Sequence, residues 1–128
     1  MAKALGIGGV FFKAQAPRDL AEWYARWLEI RLDPSFCGAC FHPASLPEGA
    51  YTVWSPFDAT TTYFDPSDRP FMINLVVDDV DGALAQVAQG GGSPVGEPQT
   101  EEFGRFGWFV DPEGNKVELW QPPAPDNE

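Results

Sequence analysis

The sequence predicts an α+β domain in which each half of the chain runs strand, helix and then about three strands, with the helices on one sheet face. One observation is an internal repeat, because Pro47-Glu48-Gly49 and Pro112-Glu113-Gly114 each precede a strand-like segment that ends in Trp54 or Trp120. The repeat offset is about half of the 128 residues. The other is hydrophobic periodicity, which alternates between the helical period of about 3.6 and the strand period of 2.

Length and composition are those of one globular domain. The chain has 128 residues, of which 44% are hydrophobic and 14% aromatic, enough for a real core. The net charge of −11 argues against nucleic acid and anionic membranes as partners and is compatible with a cationic ligand. The sequence shows neither a membrane-spanning run nor a secretory signal, so we expect a cytoplasmic location.

The first half is predicted to begin with a strand at residues 7–14. A helix over residues 17–29 follows, opened by a proline. Strands are expected at residues 36–42 and 51–55, and a Thr-, Asp- and Pro-rich linker at residues 58–70. The helix is predicted from apolar residues at helical spacing: Leu20, Trp23, Tyr24, Trp27 and Leu28.

The second half is predicted to repeat this order. A strand over residues 71–77 leads to Asp78 or Asp79, either of which can cap a helix. Three glycines at 90–92 end that helix. Strands are expected near Gln99, at 105–110 and at 116–121, with a turn at 111–114 between the last two. The predicted apolar positions of the helix are Val80, Leu84, Val87 and Ala88.

Three segments resemble the vicinal oxygen chelate superfamily, which includes glyoxalase I, extradiol dioxygenases and bleomycin resistance proteins. Residues 103–120, with Asp-Pro-Glu-Gly-Asn at 111–115, are similar to its closing signature. Residues 9–12 with Trp23-Tyr24 resemble its first strand and helix, and residues 74–81 its central strand and cap. The resemblance covers the chain to about residue 123.

The resemblance implies two βαβββ modules that form a curved mixed sheet around a cavity. The modules would be residues 1–57 and 71–123, with residues 58–70 as the linker and residues 124–128 as a tail. A βαβββ module leaves an open sheet edge, and the resemblance likewise implies pairing of two chains. We therefore expect a homodimer.

Metal-using members of the superfamily place four ligands, usually His, Gln or Glu, on the cavity wall. Motif spacing puts these positions at Gly9, Thr52, Met72 and Glu118, with Val53 replacing Thr52 if the two Pro-Glu-Gly segments are aligned instead. Only Glu118 is a strong ligand for a divalent ion. These residues predict no metal and no cofactor, which argues against the metal-dependent reactions.

Strand alternation places Glu118 and Trp120 on one face. Glu118 is a candidate catalytic base or anchor for a ligand cation, or else an inherited polar residue satisfied by a nearby hydroxyl, Arg or water. Aromatic walls with a few polar groups are typical of a site for a small organic molecule. The remaining predicted lining residues are Phe11, Lys13, Thr52, Trp54, Met72 and Asn74. Plain core packing is the alternative for Trp54 and Trp120.

The only other cluster of metal-ligating residue types is Cys37-x-x-Cys40-x-His42. As a metal or redox site it is weak, because no second ligand pair and no helix pattern follow it. On a strand, Cys40 and His42 would share a face and could contact a ligand. The ordinary alternative is buried cysteines and a surface histidine.

The residues therefore favour a glyoxalase- or bleomycin-resistance-like protein that binds a small organic ligand, cationic or aromatic, without a divalent metal. The alternative is an enzyme, a lyase or isomerase that uses Glu118 as general base, with Lys13 or His42. A third hypothesis is a metalloenzyme with rearranged ligands that include His42 or aspartates. The sequence does not identify the ligand or substrate.

Overall fold

The computed structural model describes residues 1–124 and has the predicted α+β class, a mixed open sheet with two α-helices. Helix α1 spans Pro17–Trp27, helix α2 spans Val80–Gln89, and a 3₁₀ turn spans Pro43–Ser45. None of the helices in the described residues is long and apolar enough to cross a bilayer. The strands are β1 (Ile73–Val76), β2 (Ser93–Pro94), β3 (Gln99–Glu101), β4 (Gly104–Val110) and β5 (Lys116–Gln121).

The strand order places β5 inside the sheet. The order is β1-β5-β4-β2, and β3 also pairs with β4. β1 runs parallel to β5, whereas the other pairs are antiparallel. The register sets both Asn74 of β1 and Trp108 of β4 opposite Glu118 of β5.

Helix α2 packs on the face of the sheet that carries the core. Its N-cap is Asp79, whose Oδ1 accepts a hydrogen bond from the Gly82 N–H at 3.0 Å. The predicted core position Ala88 is exposed, and Ala83 is buried instead because it continues the i, i+3, i+4, i+7 stripe. Below the helix, a Cβ added at Gly107 would lie 2.8 Å from a Val80 methyl, so the glycine permits this close approach. The core cluster comprises Val80, Ala83, Leu84, Val87, Phe109, Val117 and Leu119.

Helix α1 joins the first half of the chain to this core. It begins with Pro17 as predicted and ends at Trp27, two residues before the predicted end. Trp23 and Tyr24 pack against the core cluster, and the Tyr24 hydroxyl donates to Asp111 Oδ2 at 2.8 Å. The Glu113 carboxylate accepts from the N–H groups at the start of α1, which offsets unpaired donors there.

The turn at residues 111–114 forms as predicted between β4 and β5. Asp111 Oδ1 accepts hydrogen bonds from the N–H groups of Glu113 and Asn115, at 2.9 and 3.0 Å. Gly114 has a φ of +87°, a conformation that favours glycine. The Asp-Pro-Glu-Gly-Asn motif is therefore a structural turn that fixes the start of β5.

The strands predicted at residues 7–14, 36–42 and 51–55 are wrong for this chain by itself. Those segments are extended or turn-like, and within residues 1–124 none of them belongs to the sheet. Their alternating apolar pattern indicates strand character, but a strand also needs a neighbour for its backbone hydrogen bonds. Division of the chain into two modules, a linker and a tail stays a prediction, and the predicted tail at 124–128 lies outside the described residues except for residue 124.

Leu119→Ala tests the assignment of the core. Leu119 is fully buried, so we expect the free energy of unfolding to fall by about 2–5 kcal/mol. Urea denaturation measures this loss. Leu5→Ala is the matched control, because Leu5 is 88% exposed and its loss should change the free energy by about 0.5 kcal/mol or less. Equal effects of the two substitutions would contradict the assignment.

Candidate functional site

The two faces of β5 differ in chemistry, as the alternation predicts. Val117 and Leu119 point to the helices and belong to the core cluster. Glu118 and Trp120 point to the opposite face, where Tyr63 and Tyr51, rather than a helix, contact them. We call this opposite surface the site face; its residues are Asn74, Phe106, Trp108, Lys116, Glu118 and Trp120.

The centre of the site face is the carboxylate of Glu118. Asn74 Nδ2 donates to Oε1 at 2.8 Å. The Tyr63 hydroxyl and Trp108 Nε1 both donate to Oε2, at 2.5 and 2.9 Å. All three donors are uncharged, so they stabilise the anion without neutralising it.

Tyr63 and Lys116 complete the surroundings of this carboxylate. Burial, and then the hydrogen bond to Glu118, raises the pKa of the Tyr63 phenol, which therefore stays a protonated donor at neutral pH. Lys116 Nζ donates to the backbone oxygen of Tyr63 at 2.6 Å. Burial lowers the pKa of Lys116, although Glu118 and Asp65 act in the opposite direction.

Aromatic rings surround these polar groups. Trp120 stacks on Phe106 with ring centroids 6.4 Å apart and meets Tyr51 at 4.9 Å. Tyr63 lies edge-on to Trp108 at 6.3 Å. The arrangement combines one carboxylate with apolar, polarisable aromatic rings.

The structure brings together only part of the predicted site. Glu118 and Asn74 are hydrogen-bonded, and Trp120 lies on the same face. Phe11 is 95% exposed and Trp54 is 77% exposed. Lys13 and Thr52 are also exposed, Met72 is half-buried, and none of these five makes a recorded hydrogen bond or ring contact with Glu118, Asn74 or Trp120 in residues 1–124.

Two residues that contact Glu118 directly were not predicted from the sequence. Trp108 could have been found, because antiparallel pairing across the turn at 111–114 places it opposite Glu118. Tyr63 belongs to the predicted linker and is 55 residues away from Glu118 in sequence. No local sequence pattern predicts a contact over such a separation.

The groups around Glu118 do not form a set of ligands for a divalent metal. Its oxygens face two N–H groups and one O–H group, and an indole or amide N–H cannot ligate a cation. Within residues 1–124 no group of three or more His, Cys, Asp or Glu side chains could hold a metal ion. Gly9 offers no side chain and Thr52 is exposed, so the superfamily's four positions do not assemble a ligand set here.

The Cys37–His42 segment lies elsewhere. Cys40 and His42 line a cavity of about 500 Å³ together with Arg31, Val76 and Asp78. Both cysteines are free and exposed, so the expectation of buried cysteines is wrong; the segment is not a strand packed into a sheet. This cavity shares no residue with the cluster around Glu118.

Comparison with protein families decides the relationship. The profile of the glyoxalase-like domain family matches residues 9–120. The chain belongs to this glyoxalase-like family. The resemblance to the vicinal oxygen chelate superfamily is thereby confirmed. Comparison with curated proteins gives no significant match for the glyoxalase-like chain.

Three solved structures are similar to the glyoxalase-like chain. A hypothetical protein of S. aureus, SA1046, is 27% identical over 41% of this chain and 43% of its own, with a TM-score of 0.38. TnmS3, an antibiotic binding protein from Streptomyces sp. CB03234, is 34% identical over 42% of this chain and 45% of its own, also with a TM-score of 0.38. The matches thus span less than half of these two structures.

The third structure covers nearly the whole chain. It is a member of the glyoxalase/bleomycin resistance protein/dioxygenase superfamily from Sphaerobacter thermophilus DSM 20745. It is 21% identical over 93% of this chain and 98% of its own, with a TM-score of 0.52. This likeness shows the shared fold.

Added metal tests the conclusion about the donor set. A bound ion at a hundredfold excess over its dissociation constant would stabilise the fold by about 2.7 kcal/mol. We expect no shift in melting temperature with sub-millimolar Ni²⁺, Zn²⁺ or Mn²⁺. A shift of several degrees that Glu118→Ala abolishes, and that the exposed control Glu48→Ala retains, would contradict this expectation. His42 would then be the first further residue to substitute.

Proposed function

We propose that this glyoxalase-like protein binds a small aromatic organic molecule on the site face, without a divalent metal. Glu118 would be the polar anchor for a positive charge or a hydrogen-bond donor of that molecule. The observation that carries the proposal is an anionic carboxylate, held by three uncharged donors, among aromatic rings. A fixed anion beside aromatic faces favours cationic and hydrogen-bond-donating aromatics.

The net charge supports the same class of ligand. With 19 acidic and 8 basic residues the protein has a negative field, which attracts cations and repels anions. Lys116 is a positive charge that interacts with Glu118, and its ammonium already donates to the Tyr63 backbone oxygen. It therefore leaves Glu118 available as an anchor.

The enzymatic alternative, a lyase or isomerase with Glu118 as general base, has weaker support. A general base must reach the proton that it abstracts, and hydrogen bonds already made to its oxygens compete for that position. Three such bonds converge on Glu118. Lys13 is exposed and His42 lines a different cavity, so neither is placed as a second catalytic group.

Isothermal titration with matched naphthalene probes tests the binding function. We expect 2-(aminomethyl)naphthalene, a cation at neutral pH, to bind more tightly than naphthalene-2-sulfonate. Glu118→Gln should weaken binding of the cation by about tenfold or more, since a hydrogen bond to a charged group is worth about 1.5–3 kcal/mol. Glu22→Gln removes an equal charge from an exposed position of α1 and should leave binding unchanged. If no aromatic probe binds, the proposal is wrong.

We also infer that two copies of the chain form a homodimer. The chain exposes 9441 Å², whereas a compact monomer of 14.1 kDa exposes only about 6,700 Å². The excess is in the range that obligate dimers bury. Much of it is apolar and lies in the first half of the chain: Val10, Phe11, Phe12, Phe36, Phe41, Val53, Trp54 and Phe57 are all exposed. A second copy would offer the strand neighbours that residues 7–14 and 51–55 lack.

Sedimentation equilibrium at micromolar concentration measures the mass of the assembly. We expect twice the chain mass of 14.1 kDa. Phe11→Asp should shift the protein towards the monomer, because a charge buried in an apolar interface is costly. Lys3→Asp is the control. It changes the charge by more than Phe11→Asp does, but at an exposed position, and should leave the dimer intact. A wild-type mass near that of one chain would contradict the inference.

A further inference from the structure

The residue that contacts Glu118 from outside the sheet is a tyrosine. Tyr63 lies in the turn-rich segment 58–70, and its hydroxyl donates to Glu118 Oε2 at 2.5 Å. Its ring lies edge-on to Trp108 at 6.3 Å and stacks with Phe57 at 5.8 Å. Both parts of the phenol are thus recognised, the oxygen by the carboxylate and the ring by aromatic neighbours.

The other two donors to Glu118 differ from Tyr63 in how they are held. Asn74 is on β1 and Trp108 is on β4, and both are fixed by the ladder to β5. Tyr63 is on a surface segment and is 40% exposed. The sheet therefore supplies a preformed hydrogen-bond acceptor, the Glu118 carboxylate. Rotation of the Tyr63 side chain alone would remove the phenol from it.

The segment stays attached without the phenol. Lys116 Nζ bonds the backbone oxygen of Tyr63 at 2.6 Å, and Ser67 Oγ donates to the Gly114 oxygen at 2.6 Å. Neither contact uses the Tyr63 hydroxyl. The side chain can consequently leave Glu118 while its backbone keeps its place on the sheet.

The geometry points to a phenol-recognition site: Glu118, held in place by Asn74 and Trp108, accepts a hydrogen bond from the hydroxyl of a phenolic ligand, and Tyr63 is the built-in occupant that this ligand displaces. The inference rests on the proposed function and narrows its ligand class from aromatic molecules to phenols. A neutral phenol brings the same donor and the same ring as Tyr63. An aryl methyl ether has the ring but no donor, so it cannot replace the bond to Glu118.

Competition by Tyr63 has a measurable consequence. A ligand that binds only when the site is vacated has its apparent affinity reduced by the fraction of time that the site is open. Removal of the Tyr63 hydroxyl removes this competition. Tyr63→Phe should therefore strengthen phenol binding, whereas removal of an ordinary lining contact would weaken it.

The experiment compares 2-naphthol with 2-methoxynaphthalene by isothermal titration against the full chain. We expect 2-naphthol to bind more tightly than its ether, and Tyr63→Phe to raise the affinity for 2-naphthol by about tenfold, the value of one hydrogen bond to a charged group. The ether should gain by a similar factor, because it needs the same vacated site, but it should stay weaker than 2-naphthol because it cannot donate to Glu118. Thr60→Val is the control and should leave both affinities unchanged, because it removes an exposed hydroxyl of the same segment that donates to Asp58.

Chemical rescue is the second test. In Tyr63→Ala the phenol is missing, and 4-methylphenol, which is the tyrosine side chain itself, should raise the melting temperature of the variant more than that of the wild type. 4-Methylanisole should not. The inference is overturned if 2-naphthol and its ether bind alike, or if Tyr63→Phe leaves naphthol affinity unchanged or lower; the proposed function survives both results. If no aromatic probe binds any variant, both fall.

Discussion

The rest of the structure depends on strand β5, which pairs with two neighbouring strands and places different side chains on its two faces. Its backbone pairs with β1 on one side and β4 on the other. Val117 and Leu119 enter the core beneath α2, while Glu118 points to the opposite face, towards Tyr63. Since the side-chain period of a strand is 2, a slip of one residue would bury the carboxylate and expose the core. Core stability and site geometry are therefore set by one register.

That register also explains how an acid persists among aromatic rings. An ionised carboxylate on a partly desolvated surface is costly unless donors replace water. Pairing sets Asn74 and Trp108 on either side of Glu118, so two of the donors come directly from the sheet. Tyr63 is the third and comes from the chain that joins the two halves. The sheet thus holds the charge in place, and segment 58–70 adds one further donor to it.

How far the sequence predicts this structure differs between the two halves. In the second half the signals are local: Asp79 caps α2, Gly114 closes a turn, and β5 alternates. These fixed the helix, the final strands and the faces of Glu118, Asn74 and Trp120. The first-half strands failed because strand pairing depends on distant neighbours, which alternation does not specify. Tyr63 was missed for a related reason, because its contact with Glu118 spans 55 residues of chain.

The position of β5 also bears on how the protein is made. Within residues 1–124, β1 pairs with β5 alone and is connected to β4 through β5, yet β5 ends at residue 121. During translation β4 can pair with β2 and β3 as it emerges, whereas β1 has no neighbour until β5 is made, and its apolar residues stay exposed in the nascent chain. The sheet can assemble only after residues 116–121 leave the ribosome. Such late, non-local closure slows folding and lengthens exposure to aggregation, so this chain should depend on chaperones more than one whose central strand is synthesised first.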